Sequence, residues 1–160
     1  MAVAFVKEES AETAAETQLP DREIPKHANL VTQAGLKALE QRLEEARSAV
    51  QATLAIEDVN ERRRQAAVPS RDMRYYAARV ASARVVAPPE TTDTVAFGSV
   101  VTLVRDDGRT QTFRIVGDDE ADPAAGTISH ASPLGRLLAG KAVGDAGVMN
   151  GQEIEITAIA

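Results

Sequence analysis

The spacing of apolar residues changes character twice along the chain. Residues 7 to 30 are polar, acid-rich and interrupted by Pro20 and Pro25, with little periodicity, which predicts a flexible N-terminal arm over residues 1–30. From Gln33 onward Leu36, Leu39, Leu43, Ala46, Val50 and Thr53/Leu54 recur at alternating spacings of three and four, the pattern of a coiled-coil seam. Thr32 offers an N-cap, and Lys37, Glu40, Gln41, Arg42, Glu44, Glu45 and Arg47 fill the outer positions, as a solvated face requires. A second seam runs through Val59, Ala66, Met73 and Val80, with Tyr76 and Ala83 between, until Pro88-Pro89 forbids further helix. Two helices this close in sequence predict an antiparallel hairpin over residues 31–87. Pro69 leaves two alternatives open: a kink in the second helix, or a helix that starts there after a longer turn.

After a linker at 88–94 the texture becomes short β-branched runs, Val95–Phe97, Ser99–Val104, Thr110–Val116 and Glu153–Ile159, which predict a separate β-rich domain over 95–160. Asp106-Asp107-Gly108 between two alternating runs reads as a hairpin turn. Ser132 as N-cap, Pro133 at the first helical position and Gly140 beyond the end predict one short helix packed on the sheet. The fold class is therefore α+β.

Composition narrows the chemistry. Aromatic residues make up 3% and tryptophan is absent, so a large core is not expected from these 160 residues. With no cysteine there is no thiolate nucleophile, disulfide framework or zinc ribbon, and the two histidines, His27 and His130, lack ligand-like spacing. They read as an exposed arm residue and a domain-surface residue, so no intrinsic metal site is expected and a metal would fall to carboxylates. A net charge of −6 argues against direct wrapping of nucleic acid. No run approaches the roughly 20 apolar residues of a membrane span, and Met1–Lys7 lacks a signal peptide's pattern, so a cytoplasmic, monomeric protein with no membrane association is expected.

Several strings stand in an order and spacing that are together specific: Leu30-Val31-Thr32-Gln33-Ala34-Gly35-Leu36, Phe97-Gly98-Ser99-Val100-Val101, Phe113 through Asp122, Ile128-Ser129, Ser132-Pro133-Leu134-Gly135-Arg136, and Gly140-Lys141 with Val143-Gly144-Asp145. Over residues 30–160 they make the chain resemble the GreA/GreB-type family of bacterial transcription elongation factors. The resemblance implies an FKBP-like C-terminal domain docking on RNA polymerase at its secondary channel, with the hairpin reaching toward the active site. It implies an accessory factor, not an enzyme, meeting nascent RNA only through the polymerase. Asp118, Asp119, Glu120 and Asp122 form an acidic turn after the Phe113–Val116 run, and with Ser132 and Pro133 they are the expected docking surface for a basic partner.

The family's cleavage-stimulating members carry a Gly-Asp-x-x-Glu-Asn-type string at the hairpin tip that helps place a second magnesium ion. That string is absent here, and Gln65 through Tyr76 supplies no equivalent acidic pair. If the chain reverses near residue 59, the tip acids are Glu57, Asp58 and Glu61, and Glu57 and Asp58 are the candidates for sharing Mg2+ with the polymerase; no stably bound cofactor is expected. The bland reading is a set of surface charges paired with Arg62 and Arg64. If Pro69 instead starts the second helix, the tip is the basic Arg62-Arg63-Arg64-Gln65. Tyr75 and Tyr76 read as packing residues. Three functions follow: a factor stimulating the polymerase's own cleavage of backtracked RNA, a non-cleaving regulator of the same channel, and a peptidyl-prolyl isomerase. The last is disfavoured because so aromatic-poor a domain cannot easily line the pocket that chemistry uses.

Overall fold

The computed structural model describes residues 19–160, so most of the expected arm, with its N-terminal start, lies outside the described residues. The described residues divide into two compact units, one formed by those up to Pro25 with Ala38–Ala81, the other by Lys26–Lys37 with Ser82–Ala160. These bounds differ from the expected arm, hairpin and linker, because Lys26–Lys37 is built into the β-rich unit through contacts described below.

Helices α1 (Gln33–Thr53) and α2 (Val59–Ser82) are joined by the turn Leu54–Asp58. Along α1 the apolar stripe behaves as its spacing dictates: Leu39, Leu43, Ala46 and Thr53 are buried, while Leu54, just past the helix end, is exposed. Arg42, Ala46 and Ala49 of α1 line the same cavity, of about 160 Å³, as Tyr76, Asp72 and Val68 of α2. Early positions of one helix thus face late positions of the other, an antiparallel pair.

The seam of α2 is not the expected one. Val59 is 52% exposed, and the buried residues are Tyr75 and Arg79, four apart. Val59 lies in the first turn beside the reversal, where α1 has already ended. Tyr75 is covered by the end of the N-terminal arm: the Arg22 guanidinium lies 3.8 Å from its ring centroid, Arg22 Nη1 donates to Asp72 Oδ1 at 3.3 Å, and Arg74 Nε donates to Asp21 Oδ1 at 2.6 Å. The described end of the arm therefore lies along α2, held by these contacts. Pro69 neither starts nor ends α2, which runs through it. It leaves the Gln65 carbonyl without its helical donor, a local cost of about 3 kcal/mol that the continuous helix on either side outweighs.

In the second unit, β1 (Leu30–Val31) pairs in parallel with β2 (Arg84–Val85). Strands β3 (Val100–Arg105), β4 (Thr110–Val116), β5 (Thr127–Ser129), β6 (Ala146–Met149) and β7 (Gln152–Ile159) form one sheet in the order β5-β4-β3-β7-β6, antiparallel except for β4 with β5. The alternation of the strands puts Val101 and Leu103, Phe113 and Ile115, Ile128, and Ile154 and Ile156 on one buried face. Helix α3 (Pro133–Leu138) closes that face with Leu134 and Leu138. Burying each such side chain contributes about 1.5–3 kcal/mol. The expected strand Val95–Phe97 is a loop instead. Val95 is buried, but its backbone bonds to Lys141 and Gly140, at the far end of α3, leaving no sheet partner for the run.

Candidate functional sites: the hairpin tip and the acidic turn

The reversal at Leu54–Asp58 puts Glu57 and Asp58 at the tip and excludes the basic alternative in which α2 begins at Pro69. Asp58 caps α2: its Oδ1 accepts the Glu61 N–H at 2.7 Å, satisfying one of the donors a helix start leaves open. Asp-x-x-Glu is also capping-box spacing, but Glu61 does not turn back to complete the box. Its carboxylate accepts from Arg64 Nη2 at 2.6 Å and from Gln65 Nε2 at 2.9 Å. The bonds from Gln65 and Arg64, together with the Arg64 charge, hold the Glu61 carboxyl below its ordinary pKa. Arg62 folds back over the turn, its Nε donating to the Ile56 carbonyl at 3.0 Å and its Nη2 to that of Glu57 at 3.3 Å.

The donor set is chemically suitable for magnesium, which takes carboxylate oxygens and keeps several waters. The fit is partial, because one oxygen of Asp58 is committed to the cap, Glu61 to its cation, and Arg62 adds positive charge beside Glu57. The tip lies at the reversal near residue 59 and not in the stretch Gln65–Tyr76. The turn shows that Asp58-Val59-Asn60-Glu61 carries the Asp-x-x-Glu spacing at the tip, without the flanking Gly and Asn. The signal that would have found it is the capping pattern itself, read as a helix start.

The acidic turn is less uniform than its sequence suggests. Asp118–Glu120 form one turn of 3-10 helix after β4. Asp118 faces inward: Oδ1 accepts from the Ser129 hydroxyl at 2.7 Å and Oδ2 lies 2.6 Å from His27 Nε2. Glu120 also faces inward, taking the Thr32 hydroxyl at 2.7 and 2.8 Å on its two oxygens. Thr32 in turn caps α1, accepting the Gly35 N–H at 2.9 Å. Asp119 and Asp122 are exposed. Ser132 is the N-cap of α3, accepting from the Gly135 N–H at 3.0 Å and donating to the Ser129 carbonyl at 2.6 Å. Pro133 at the first helical position is exposed. Of the six expected docking residues, Asp118 and Glu120 thus anchor the turn and Ser132 caps α3, while Asp119, Asp122 and Pro133 are exposed.

The histidines also depart from expectation. His27 is not a free arm residue but is bonded to Asp118, and its ring meets that of His130 edge-on with centroids 5.5 Å apart. Nothing in the sequence joins positions so far apart; only the folding of Lys26–Lys37 onto the sheet does.

Residues 90–160 match the family described as "Transcription elongation factor, GreA/GreB, C-term". Transcription elongation factor GreB of Neisseria meningitidis serogroup B is 46% identical over 95 residues, covering 56% of this chain and 58% of that protein. The chain thus spans less than two thirds of the length of this relative. Transcription elongation factor GreA of Paracoccus denitrificans is 34% identical over 132 residues, covering 72% of this chain and 83% of its own. Among solved structures, the GreA factor homolog Gfh1 of Thermus thermophilus aligns over 84% of this chain and 99% of its own with a TM-score of 0.40 and 23% identity. With 34% identity to the Paracoccus protein over most of both chains, and residues 90–160 matched by the family's C-terminal domain, the chain belongs to the GreA/GreB family of transcription elongation factors.

Proposed function

We propose that this protein binds bacterial RNA polymerase at its secondary channel and modulates elongation by stimulating the polymerase's own cleavage of backtracked RNA. The observation that carries this reading is the place of reversal: Glu57 and Asp58 stand at the end of a paired-helix hairpin, with Glu61 one turn behind. Such carboxylates add oxygen ligands to a magnesium ion already held by another protein's acids, where a weak partial site suffices. The polymerase supplies the catalytic centre, and this chain acts as its accessory factor. The outward Asp119 and Asp122 offer a docking surface to a basic partner.

One observation favours a second reading. The cap on Asp58 and the Arg64–Glu61 pair commit the same carboxylates to α2 itself, as in a regulator that fills the channel without promoting cleavage. A transcript-cleavage assay on backtracked complexes separates the two. Stimulation by the wild type that is lost in Asp58→Asn supports the first; occupancy of the polymerase without stimulation supports the second.

A further inference from the structure

We propose that His27, Asp118 and His130 form a binding site for one divalent transition-metal ion, with zinc the best chemical match. Each offers one ligand atom, and these atoms lie within 4.8 Å of one another. Two imidazoles and a carboxylate are a ligand set zinc favours, with a fourth position left for water. Hard ions such as magnesium prefer all-oxygen sites, so this centre is distinct in chemistry from the hairpin tip.

The geometry is close to what such an ion needs. Zinc bonds of about 2.0–2.2 Å in a tetrahedron place neighbouring ligand atoms about 3.3 Å apart. His27 Nε2 and Asp118 Oδ2, at 2.6 Å, have to open slightly to admit the ion. Both side chains are half-buried, 32% and 19% exposed, which leaves a route for entry without full solvation. The Ser129 hydroxyl holds the other oxygen of Asp118 at 2.7 Å, fixing the carboxylate as an outer-shell partner does in metal centres.

A second, independent observation is His130 itself. Its Nε2 is buried and makes no hydrogen bond among the described residues. A buried, unpaired ring nitrogen has a cost that calls for an explanation, and a metal ion uses that lone pair. Burial holds the imidazole below its ordinary pKa, with Asp118 opposing and His27 and Arg136 adding to the effect. That direction favours the neutral ring, the form that ligates metal. The edge of Phe97, its ring centroid 5.5 Å from that of His130, supplies an apolar wall. The Arg136 charge opposes the ion.

The consequence is mechanical. His27 precedes β1, Asp118 follows β4, and His130 follows β5, so one ion would clip three separate stretches of the second unit together. This inference stands apart from the polymerase reading, since its readout is binding by the protein alone.

The test uses the full chain without an affinity tag, so that these are the only two histidines. Zinc chloride is titrated calorimetrically against a competing chelator, and cobalt(II) is used to read coordination by visible absorption. The expected result is one zinc per chain, a tetrahedral cobalt spectrum, movement of both histidine ring signals in NMR spectra, and a rise in Tm with zinc. His27→Gln and His130→Gln are each expected to lower affinity about 100-fold, with circular dichroism showing that both remain folded. Failure of the wild type to take up stoichiometric zinc would overturn the proposal and leave a His27–Asp118 hydrogen bond only. Undiminished affinity in the folded variants would overturn it equally, by placing the zinc elsewhere.

Discussion

The Thr32 hydroxyl bridges two roles: it donates to both oxygens of Glu120, at 2.7 and 2.8 Å, and accepts the Gly35 N–H that opens α1. The residue capping the first helix is thereby the residue that holds the acidic turn. Thr32→Val removes the cap and leaves a partly buried carboxylate short of its donor. A loss of about 1–3 kcal/mol is expected in urea unfolding. Thr32→Ser, which keeps the hydroxyl, is expected to restore most of it.

The same junction depends on a missing side chain. A Cβ on Gly117 would lie 2.3 Å from the Leu30 carbonyl oxygen, a backbone atom fixed by the pairing of β1 with β2. Gly117 has an ordinary extended backbone, φ −75° and ψ 168°, so closeness and not dihedral strain is what demands glycine. Gly117→Ala is expected to cost about 1–3 kcal/mol or more, seen as a lowered Tm. A wild-type Tm in this variant would mean that Leu30–Val31 does not sit against the turn.

Arg22 lies over Tyr75 and pairs with Asp72, holding the end of the arm on α2. Arg22→Ala is expected to destabilise the protein by roughly 0.5–2 kcal/mol and to increase protease cleavage between residues 19 and 25. Arg22→Lys retains the charge but not the planar stack, and an intermediate effect is expected.

Much of this architecture is legible in the residues themselves. Thr32, Ser132 with Pro133, and Asp106-Asp107-Gly108 announce a helix start, a second helix start and a hairpin because capping and turn chemistry act over three or four residues. The stripe Leu39, Leu43, Ala46 is equally local. What could not be read depends on distant partners: Arg22 on Tyr75, His27 on Asp118, Thr32 on Glu120, and the backbone of Val95 on Gly140 and Lys141. Pro69 leaves two alternatives open for a related reason, since intrinsic propensity is a weak term beside the packing of a whole helix. The acidic turn is legible as a string, but a one-dimensional string cannot show which carboxylates turn inward.

At the tip, capping and catalysis can be separated by the choice of substitution. Asp58→Ala is expected to lose the cap, about 1 kcal/mol, along with any cleavage stimulation. Asp58→Asn retains a capping oxygen, so its Tm should match the wild type while stimulation falls at least tenfold. Equal stimulation by Asp58→Asn and wild type would remove the Asp58 charge from the chemistry.

Glu61 has a depressed pKa, caused first by Gln65 and then by Arg64. The folded state therefore holds this proton less tightly than the unfolded chain does. Its contribution to stability is complete above the ordinary value of 4.5 and is lost as pH falls through the lowered folded-state value. Carboxyl NMR titration is expected to show the Glu61 midpoint below that of an ordinary glutamate, and to show it rising in Gln65→Ala and in Arg64→Ala. A midpoint unmoved by both changes would show that the Gln65–Glu61–Arg64 cluster does not form in solution.

Docking on RNA polymerase, proposed to run through the outward Asp119 and Asp122, is the step that any action of the hairpin tip requires first. It is tested most directly by measuring the Kd of the fluorescently labelled full chain for core RNA polymerase, beside a folded Asp119→Lys/Asp122→Lys variant. Saturable binding by the wild type is expected, with a Kd roughly 10-fold higher in the variant, about 1.4 kcal/mol, and a difference that shrinks as salt is added. No binding by the wild type, or equal binding by the two proteins, would contradict it.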